Sequence, residues 1–241
     1  MNQEYKYAYK RVLLKLSGEA LCNGKAGIID FDYLNRICSE IIDCVKAGVQ
    51  VAVVIGAGNI WRGRQGGGMD KTRADHMGML ATTINCLAMQ DAFVSLGGKA
   101  DVFTAVEMQQ FARIYTRDDA VSALEAGKIA IFACGLGNPY FSTDTAAVLR
   151  AVEIGADISL FAKNIDGVYS ADPKKEPTAV KYDTLTYEEI LAKRLGAIDL
   201  TAAAFCLDNN MPILVFGLDE PENISSAVKG EKIGTILSGG R

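Results

Sequence analysis

The sequence has 241 residues, enough for one large domain or two small ones. Its 49% hydrophobic and 22% charged residues are ordinary for a globular chain, and a formal net charge of −4 lacks the basic excess of a nucleic-acid binder. No apolar run nears the ~20 residues that span a bilayer, so no membrane segment is expected. The polar start, Met1-Asn2-Gln3-Glu4-Tyr5-Lys6, lacks the apolar stretch of a secretory signal. A cytoplasmic location follows as the expectation. The cysteines Cys22, Cys38, Cys44, Cys86, Cys134 and Cys206 form no C-x-x-C pair, and the single histidine, His76, has no cysteine nearby. That pattern argues against zinc and predicts reduced, buried thiols.

The first predicted strand, 11–16, carries the apolar run Val12-Leu13-Leu14 and ends in Lys15-Leu16-Ser17-Gly18. A strand that closes on a lysine and a small glycine turn offers backbone N–H groups, close approach and a mobile positive charge, which together suit a phosphate. Tyr33-Leu34, Ile37-Cys38, Ile41-Ile42 and Val45 then recur at helical spacing. The strand 50–55 follows and ends in a second glycine turn, Gly56-Ala57-Gly58-Asn59. Two such turns predict two phosphate groups held face to face.

Next comes Gly63-Arg64-Gln65-Gly66-Gly67-Gly68, read as a mobile lid or substrate loop carrying Arg62 and Arg64, or as a plain surface loop. Met77, Leu80, Ile84 and Leu87-Ala88 place a long apolar helix over 75–96, a candidate dimer face opened by Asp75. Strands are predicted at 100–104 and 129–134, with a short helix between them that holds Val121 and Leu124 and stops at Gly127. Asp144 starts a helical stretch through Ala146, Val148-Leu149 and Val152. The last strands are predicted at 157–161, 213–216 and 234–237, with a long irregular stretch over 163–187. Strands alternating with helices predict a mostly parallel sheet covered on both faces. Such folds bind ligands beyond the C-terminal strand ends, where both glycine turns fall.

Several phosphate and nucleotide motifs fail. The nearest P-loop candidate, Gly18 to Gly24-Lys25, has one residue too many and Ala26 in place of the magnesium-binding hydroxyl. The stretch from Gly56 to Trp61 breaks the dinucleotide fingerprint at its third glycine. The catalytic-loop and D-F-G signatures of protein kinases are absent.

Five blocks succeed together: Lys10-Arg11-Val12-Leu13-Leu14-Lys15-Leu16-Ser17-Gly18-Glu19-Ala20-Leu21, Val54-Ile55-Gly56-Ala57-Gly58-Asn59-Ile60-Trp61-Arg62-Gly63, Ala74-Asp75-His76-Met77-Gly78-Met79-Leu80-Ala81-Thr82, Gly137-Asn138-Pro139-Tyr140-Phe141-Ser142-Thr143-Asp144 and Asp166-Gly167-Val168-Tyr169-Ser170-Ala171-Asp172-Pro173. In this order and spacing the chain resembles the amino acid kinase superfamily and, within it, the bacterial-type uridylate (UMP) kinases. Ser17 stands where aspartokinases and acetylglutamate kinases usually show a second glycine.

The resemblance implies one α/β domain over 1–241, a three-layer α/β/α sandwich around a mostly parallel sheet. It implies transfer of the γ-phosphoryl of Mg-ATP to UMP, giving UDP and ADP, in pyrimidine nucleotide biosynthesis. It assigns catalysis to Lys15, Arg62 and Asp144, and ATP contacts to Lys15, Leu16, Ser17, Gly18, Gly58, Arg62, Lys163, Asn164, Tyr169 and Asp172. UMP contacts fall to Gly56, Ala57, Asp75, Leu136, Gly137, Asn138, Pro139, Tyr140, Phe141, Ser142 and Thr143. Mg2+ would travel with ATP, with Asp144 as the candidate protein ligand. A homohexamer, activation by GTP and inhibition by UTP are implied as well, with 23–28 and 113–117 as candidate regulatory contacts. Nucleic acid is not needed for catalysis.

The reaction suits these residue types. The acceptor phosphate has a second pKa of ~6 and needs no general base. Aligning two anionic groups needs cations and backbone N–H donors instead. Taken singly, Lys15 reads as a strand-end lysine, and Asp75 and Asp144 as helix-terminus acids. Met77, Met79 and Met89 read as core or subunit contacts rather than a ligand stripe. Two alternatives stand beside the main reading: a superfamily enzyme acting on an amino-acid carboxylate or a carbamate, and a binding protein without catalysis. The family often shows three glycines where this chain has Gly56-Ala57-Gly58, so a left-handed backbone at Ala57 would weaken the acceptor site.

Overall fold

A computed structural model of the protein describes residues 7–24, 27–62 and 67–240. Its spine is a nine-stranded sheet in the order β4-β3-β5-β2-β1-β6-β10-β11-β9. The strands are β1 (Arg11–Leu16), β2 (Gln50–Ile55), β3 (Ala100–Thr104), β4 (Arg113–Ile114), β5 (Ile129–Ala133), β6 (Ile158–Lys163), β9 (Thr184–Thr186), β10 (Ile213–Gly217) and β11 (Gly234–Ser238). A separate hairpin pairs β7 (Val168–Tyr169) with β8 (Lys181–Tyr182). All pairings from β4 to β10 are parallel, and the chain reverses only between β10 and β11. The C-terminal ends of β1, β2, β5, β6 and β10 therefore open on one edge.

Burial on both sides explains the near-continuous apolar runs. Alternation along β1 sends Val12, Leu14 and Leu16 to one layer and Leu13 to the other. The first layer packs α1 (Phe31–Lys46), α2 (Lys71–Ser95) and α7 (Asn223–Lys229) on the sheet. The second packs α3 (Arg117–Glu125), α4 (Thr143–Glu153), α5 (Tyr187–Lys193) and α6 (Leu200–Asn209). This is the three-layer sandwich expected from the sequence. Lys15 shares the parity of Leu13, which aims it at the layer holding α4.

The helices start where caps permit. Asp70 accepts from the Arg73 N–H at 3.1 Å, so α2 begins at Lys71 and Asp75 lies one turn inside it rather than opening it. Ser142 caps α4 by accepting from the N–H groups of Asp144 and Thr145 at 3.0 and 3.2 Å. Gly127, at φ 71°, closes α3 at the expected stop. Five strand ends differ from the sequence expectation by one or two residues, and two of them have a local cause. Asp157 stays outside β6 because its carboxylate accepts from the N–H groups of Lys10 and Arg11 at 2.7 and 2.9 Å. β5 ends at Ala133 because Cys134 turns to φ 62° and swings the chain into the loop before α4. The irregular stretch over 163–187 holds the β7–β8 hairpin and β9.

Candidate active site

The two glycine turns meet beyond the ends of β1 and β2. The Gly56 N–H donates to the Leu16 carbonyl at 2.9 Å. A side chain on Gly18 would place its Cβ 2.4 Å from the Gly56 oxygen, so only glycine fits there. A Cβ on Gly58 would lie 2.8 Å from the Glu19 carboxylate. Ala57 is not among the residues with positive φ, so its methyl adds no backbone strain to the turn. Glu19 also pairs with the Arg62 guanidinium.

A buried charge bridge sits behind these turns. The Lys15 ammonium is 2.9 Å from one oxygen of Asp144, and the Lys163 ammonium is 3.5 Å from the other. Lys15 is only 7% exposed. Both ammonium groups lie 5.8 Å from the centre of the Phe161 ring, which adds a cation–π contact to each. Burial works to raise the Asp144 pKa, but the charges and hydrogen bonds of Lys15 and Lys163 prevail and hold it below the usual carboxylate value. Burial lowers the Lys163 pKa, and Asp144 only partly restores it. Lys163 also donates to the Ala197 carbonyl. The three groups form a compact site with two positive charges to one negative, which suits an incoming anion.

A cavity of about 130 Å³ reaches toward the bridge through Thr143, the chain neighbour of Asp144. The expected residues Ala57, Asp75, Leu136, Asn138, Phe141, Ser142 and Thr143 line it. Asp75 accepts from Lys71 at 2.8 Å and from the Tyr140 N–H at 2.8 Å. Burial would raise its pKa, but these hydrogen bonds hold it low, so Asp75 is a carboxylate built to accept. Tyr140 takes φ 72° to present that N–H.

A second cavity of about 370 Å³ meets the bridge at Lys163. Lys163, Tyr169 and Asp172 line it as expected, beside Arg194, Leu195, Gly196 and Ala197. The Tyr169 hydroxyl donates to Asp166 at 2.9 Å, and Lys181 holds the other Asp166 oxygen at 2.8 Å. These contacts fix the hairpin wall of the cavity. Thr143 on one side and Lys163 on the other tie the two cavities to Asp144.

Some expected residues take other places. Gly56, Pro139 and Tyr140 lie outside the lining of the smaller cavity, and a Cβ on Gly137 would meet the Ala105 carbonyl at 3.0 Å. Asn164 is exposed and does not line the larger cavity. Met79 lines the smaller cavity, Met89 is in the core and Met77 is on the surface. Arg64 and most of the glycine-rich loop lie outside the described residues, as do Lys25 and Ala26.

Sequence reasoning missed Asp199. Its carboxylate accepts from the Ser142 hydroxyl and from Thr145 Oγ1 at 3.0 Å while capping α6 through the Ala202 N–H at 2.8 Å. It thereby locks the start of α4, and Asp144 with it, to α6. The signal available was an aspartate before the apolar run from Leu200 to Cys206, which marks a cap but not its distant partners. Among the described residues no three His, Cys, Asp or Glu side chains are grouped to hold a metal ion.

The sequence profile of the Amino acid kinase family matches residues 10–217. Among solved structures, a UMP kinase from Bacillus anthracis superposes with a TM-score of 0.93 and 36% identity, covering 97% of each chain. A UMP kinase from Ureaplasma parvum gives 0.90 and 37% identity over 95% of this chain and 98% of its own. A uridylate kinase from Archaeoglobus fulgidus is more distant, at 0.72 and 29% identity over 94% and 99%. The matched profile runs from the start of β1 to the end of β10, most of the chain, and the chain belongs to the Amino acid kinase family.

Proposed function

We propose that this chain is a UMP kinase that transfers the γ-phosphoryl of ATP to UMP, yielding UDP and ADP for pyrimidine nucleotide biosynthesis. The observation that carries this reading is the Lys15–Asp144–Lys163 bridge, joined to one cavity through Thr143, the chain neighbour of Asp144, and to another through Lys163. UMP occupies the smaller cavity and ATP the larger one, with their phosphates converging on the glycine turns. Asp75 accepts from the ribose hydroxyls of UMP, and Leu136, Asn138, Phe141, Ser142 and Thr143 enclose the nucleotide. Ser17, Gly18 and Gly58 bring backbone N–H groups to the ATP phosphates. Tyr169, Asp172 and the segment 194–197 enclose the adenosine.

Lys15, paired with Asp144, meets the transferring phosphoryl, where charge builds as the bond to the leaving oxygen lengthens. Arg62 leaves Glu19 to bridge phosphates with its planar fork. No side chain removes a proton, because the acceptor oxygen is already ionised. ATP arrives as its Mg2+ complex. The donor set fits a metal carried by phosphates rather than by a protein cage, since Asp144 is shared by two lysines. The metal supplies neutralisation of the β- and γ-phosphate charge.

The same reading includes one catalytic domain, because both core layers share one sheet. It includes a homohexamer, supported by the exposed apolar stripe Met77, Leu80 and Ile84 on α2, which are 39%, 56% and 52% exposed. GTP activation and UTP inhibition come with the family resemblance. The cytoplasm is the proposed location, supported by six free cysteines, five of them buried. Among the described residues no helix is long and apolar enough to cross a membrane.

The test is ADP release from Mg-ATP with UMP, CMP, dUMP, aspartate and N-acetylglutamate offered in parallel. Turnover with UMP alone supports the reading; turnover with an amino acid instead replaces the acceptor. Asp75→Asn is expected to raise KM for UMP about tenfold, the scale of one charged hydrogen bond, with kcat within about threefold. An unchanged KM removes Asp75 from the acceptor site.

A further inference from the structure

Asn85 is fully buried in the middle of α2, yet no step of the proposed transfer uses it. Its side-chain amide donates to the Gly56 carbonyl at 2.8 Å and to Asn59 Oδ1 at 2.8 Å, while its Oδ1 accepts from Asn59 Nδ2 at 2.9 Å. The Asn59 amide spends its other N–H on the Ile28 carbonyl at 2.8 Å. The orientation of Asn85 is fixed, since a backbone carbonyl accepts only and the NH2 must face it. Gly56 and Asn59 flank the second glycine turn. The two amides therefore clamp that turn from both ends onto one helix.

The clamp has a companion one turn earlier. Thr82 Oγ1 accepts from the Cys134 N–H at 3.0 Å, which holds the end of β5. Asp75, on the same helix, holds the Tyr140 N–H. Through Asn85, Thr82 and Asp75, α2 ties down two of the loops around the smaller cavity: the second glycine turn, and the β5–α4 connection at two points. Of these ties, the one through Asn85 reaches the turn where both nucleotides converge. Gly56 and Gly58 carry no side chains to lock the turn from within, so its position must be set from outside.

We propose that Asn85 is a positioning residue for phosphoryl transfer, acting through Gly56 and Asn59 to fix the second glycine turn against the first. The inference rests on the reading of those turns as the phosphate cradle. A buried amide that satisfies two acceptors is costly to replace, because each acceptor loses its partner without gaining water. A turn displaced by about 1 Å between two reacting groups costs on the order of 10²-fold in rate.

The experiment compares Asn85→Ala, Asn85→Asp and Lys15→Ala in steady-state assays with Mg-ATP and UMP, beside Met89→Ala as a core control on the same helix. Asn85→Ala is expected to lower kcat by about 30- to 100-fold with both KM values within about threefold. Met89→Ala should lose Tm while retaining kcat. Asn85→Asp supplies a diagnostic pH profile. The new carboxylate faces the Gly56 carbonyl with no proton to give, and regains a donor when protonated. Its kcat, taken as a ratio to wild type, should therefore rise as pH falls. A folded Asn85→Ala with wild-type kcat, or an Asn85→Asp ratio flat with pH, overturns the positioning role. If Lys15→Ala stays active, the underlying reading of the cradle fails instead.

Discussion

Lys15→Ala is expected to abolish measurable turnover while leaving the fold intact. The loss should reach at least about 10²- to 10³-fold, the cost of removing one preorganised group aimed at transition-state charge. Lys15 stands at the end of the central strand, 7% exposed and 2.9 Å from Asp144, so water cannot replace its charge. Stability should fall by less than the ~3–5 kcal/mol of an orphaned buried charge, because Lys163 remains beside Asp144 at 3.5 Å. Activity and thermal unfolding of one preparation check both statements. Near-normal kcat would remove Lys15 from the chemistry.

The central sheet was legible in the sequence for a physical reason. β1, β2, β5, β6 and β10 are buried on both faces, so each reads as a near-continuous apolar run, interrupted within by Lys15 in β1 and Ser159 in β6. The short edge elements carry no such signal: Arg113–Ile114 is exposed at both residues, and the β7–β8 hairpin has two residues a side. α5 was readable and was passed over, since Thr186 and Glu189 form a capping box that sequence spacing displays. α7 is too short for periodicity to declare it, with seven residues.

The site divides along the same line. Lys15 and Gly18 sit in a strand-end turn whose residue types suit a phosphate, whereas Asp75 and Asp144 read singly as helix-terminus acids and take their expected roles from the resemblance of their blocks. Asn85 and Asp199 carry neither signal, because their roles exist only through partners 29 and 54 or more positions away. A buried asparagine in the middle of an apolar helix is the kind of local inconsistency that marks function. The same helix places its methionines in different settings. α2 is apolar on nearly every side, its buried face meeting core and cavity and its exposed stripe standing free, so one-face logic could not sort its methionines.

Asp144→Asn should have the second-largest effect, and its pH dependence separates charge from packing. The substitution leaves the ammonium groups of Lys15 and Lys163 beside a neutral amide. A loss of ~3–5 kcal/mol is the expected scale at neutral pH, with kcat down by about 10²-fold because Lys15 loses its anchor. The sign of the pH effect follows from the folded-state shifts. The Asp144 pKa is held below its usual value, so its contribution is fully present above the ordinary carboxylate range near ~3.9 and fades as pH falls through the lower folded value. The stability gap between wild type and variant should therefore narrow in acid, where the wild type loses the same charge. At the alkaline end Lys163, already lowered by burial and now without Asp144, sheds its proton earlier in the variant, and the gap narrows again. Tm measured for both proteins from acid to alkaline pH should show the widest gap in the middle of the range. A gap constant across pH would mean that Asp144 contributes shape rather than charge, and would take the electrostatic bridge out of the mechanism.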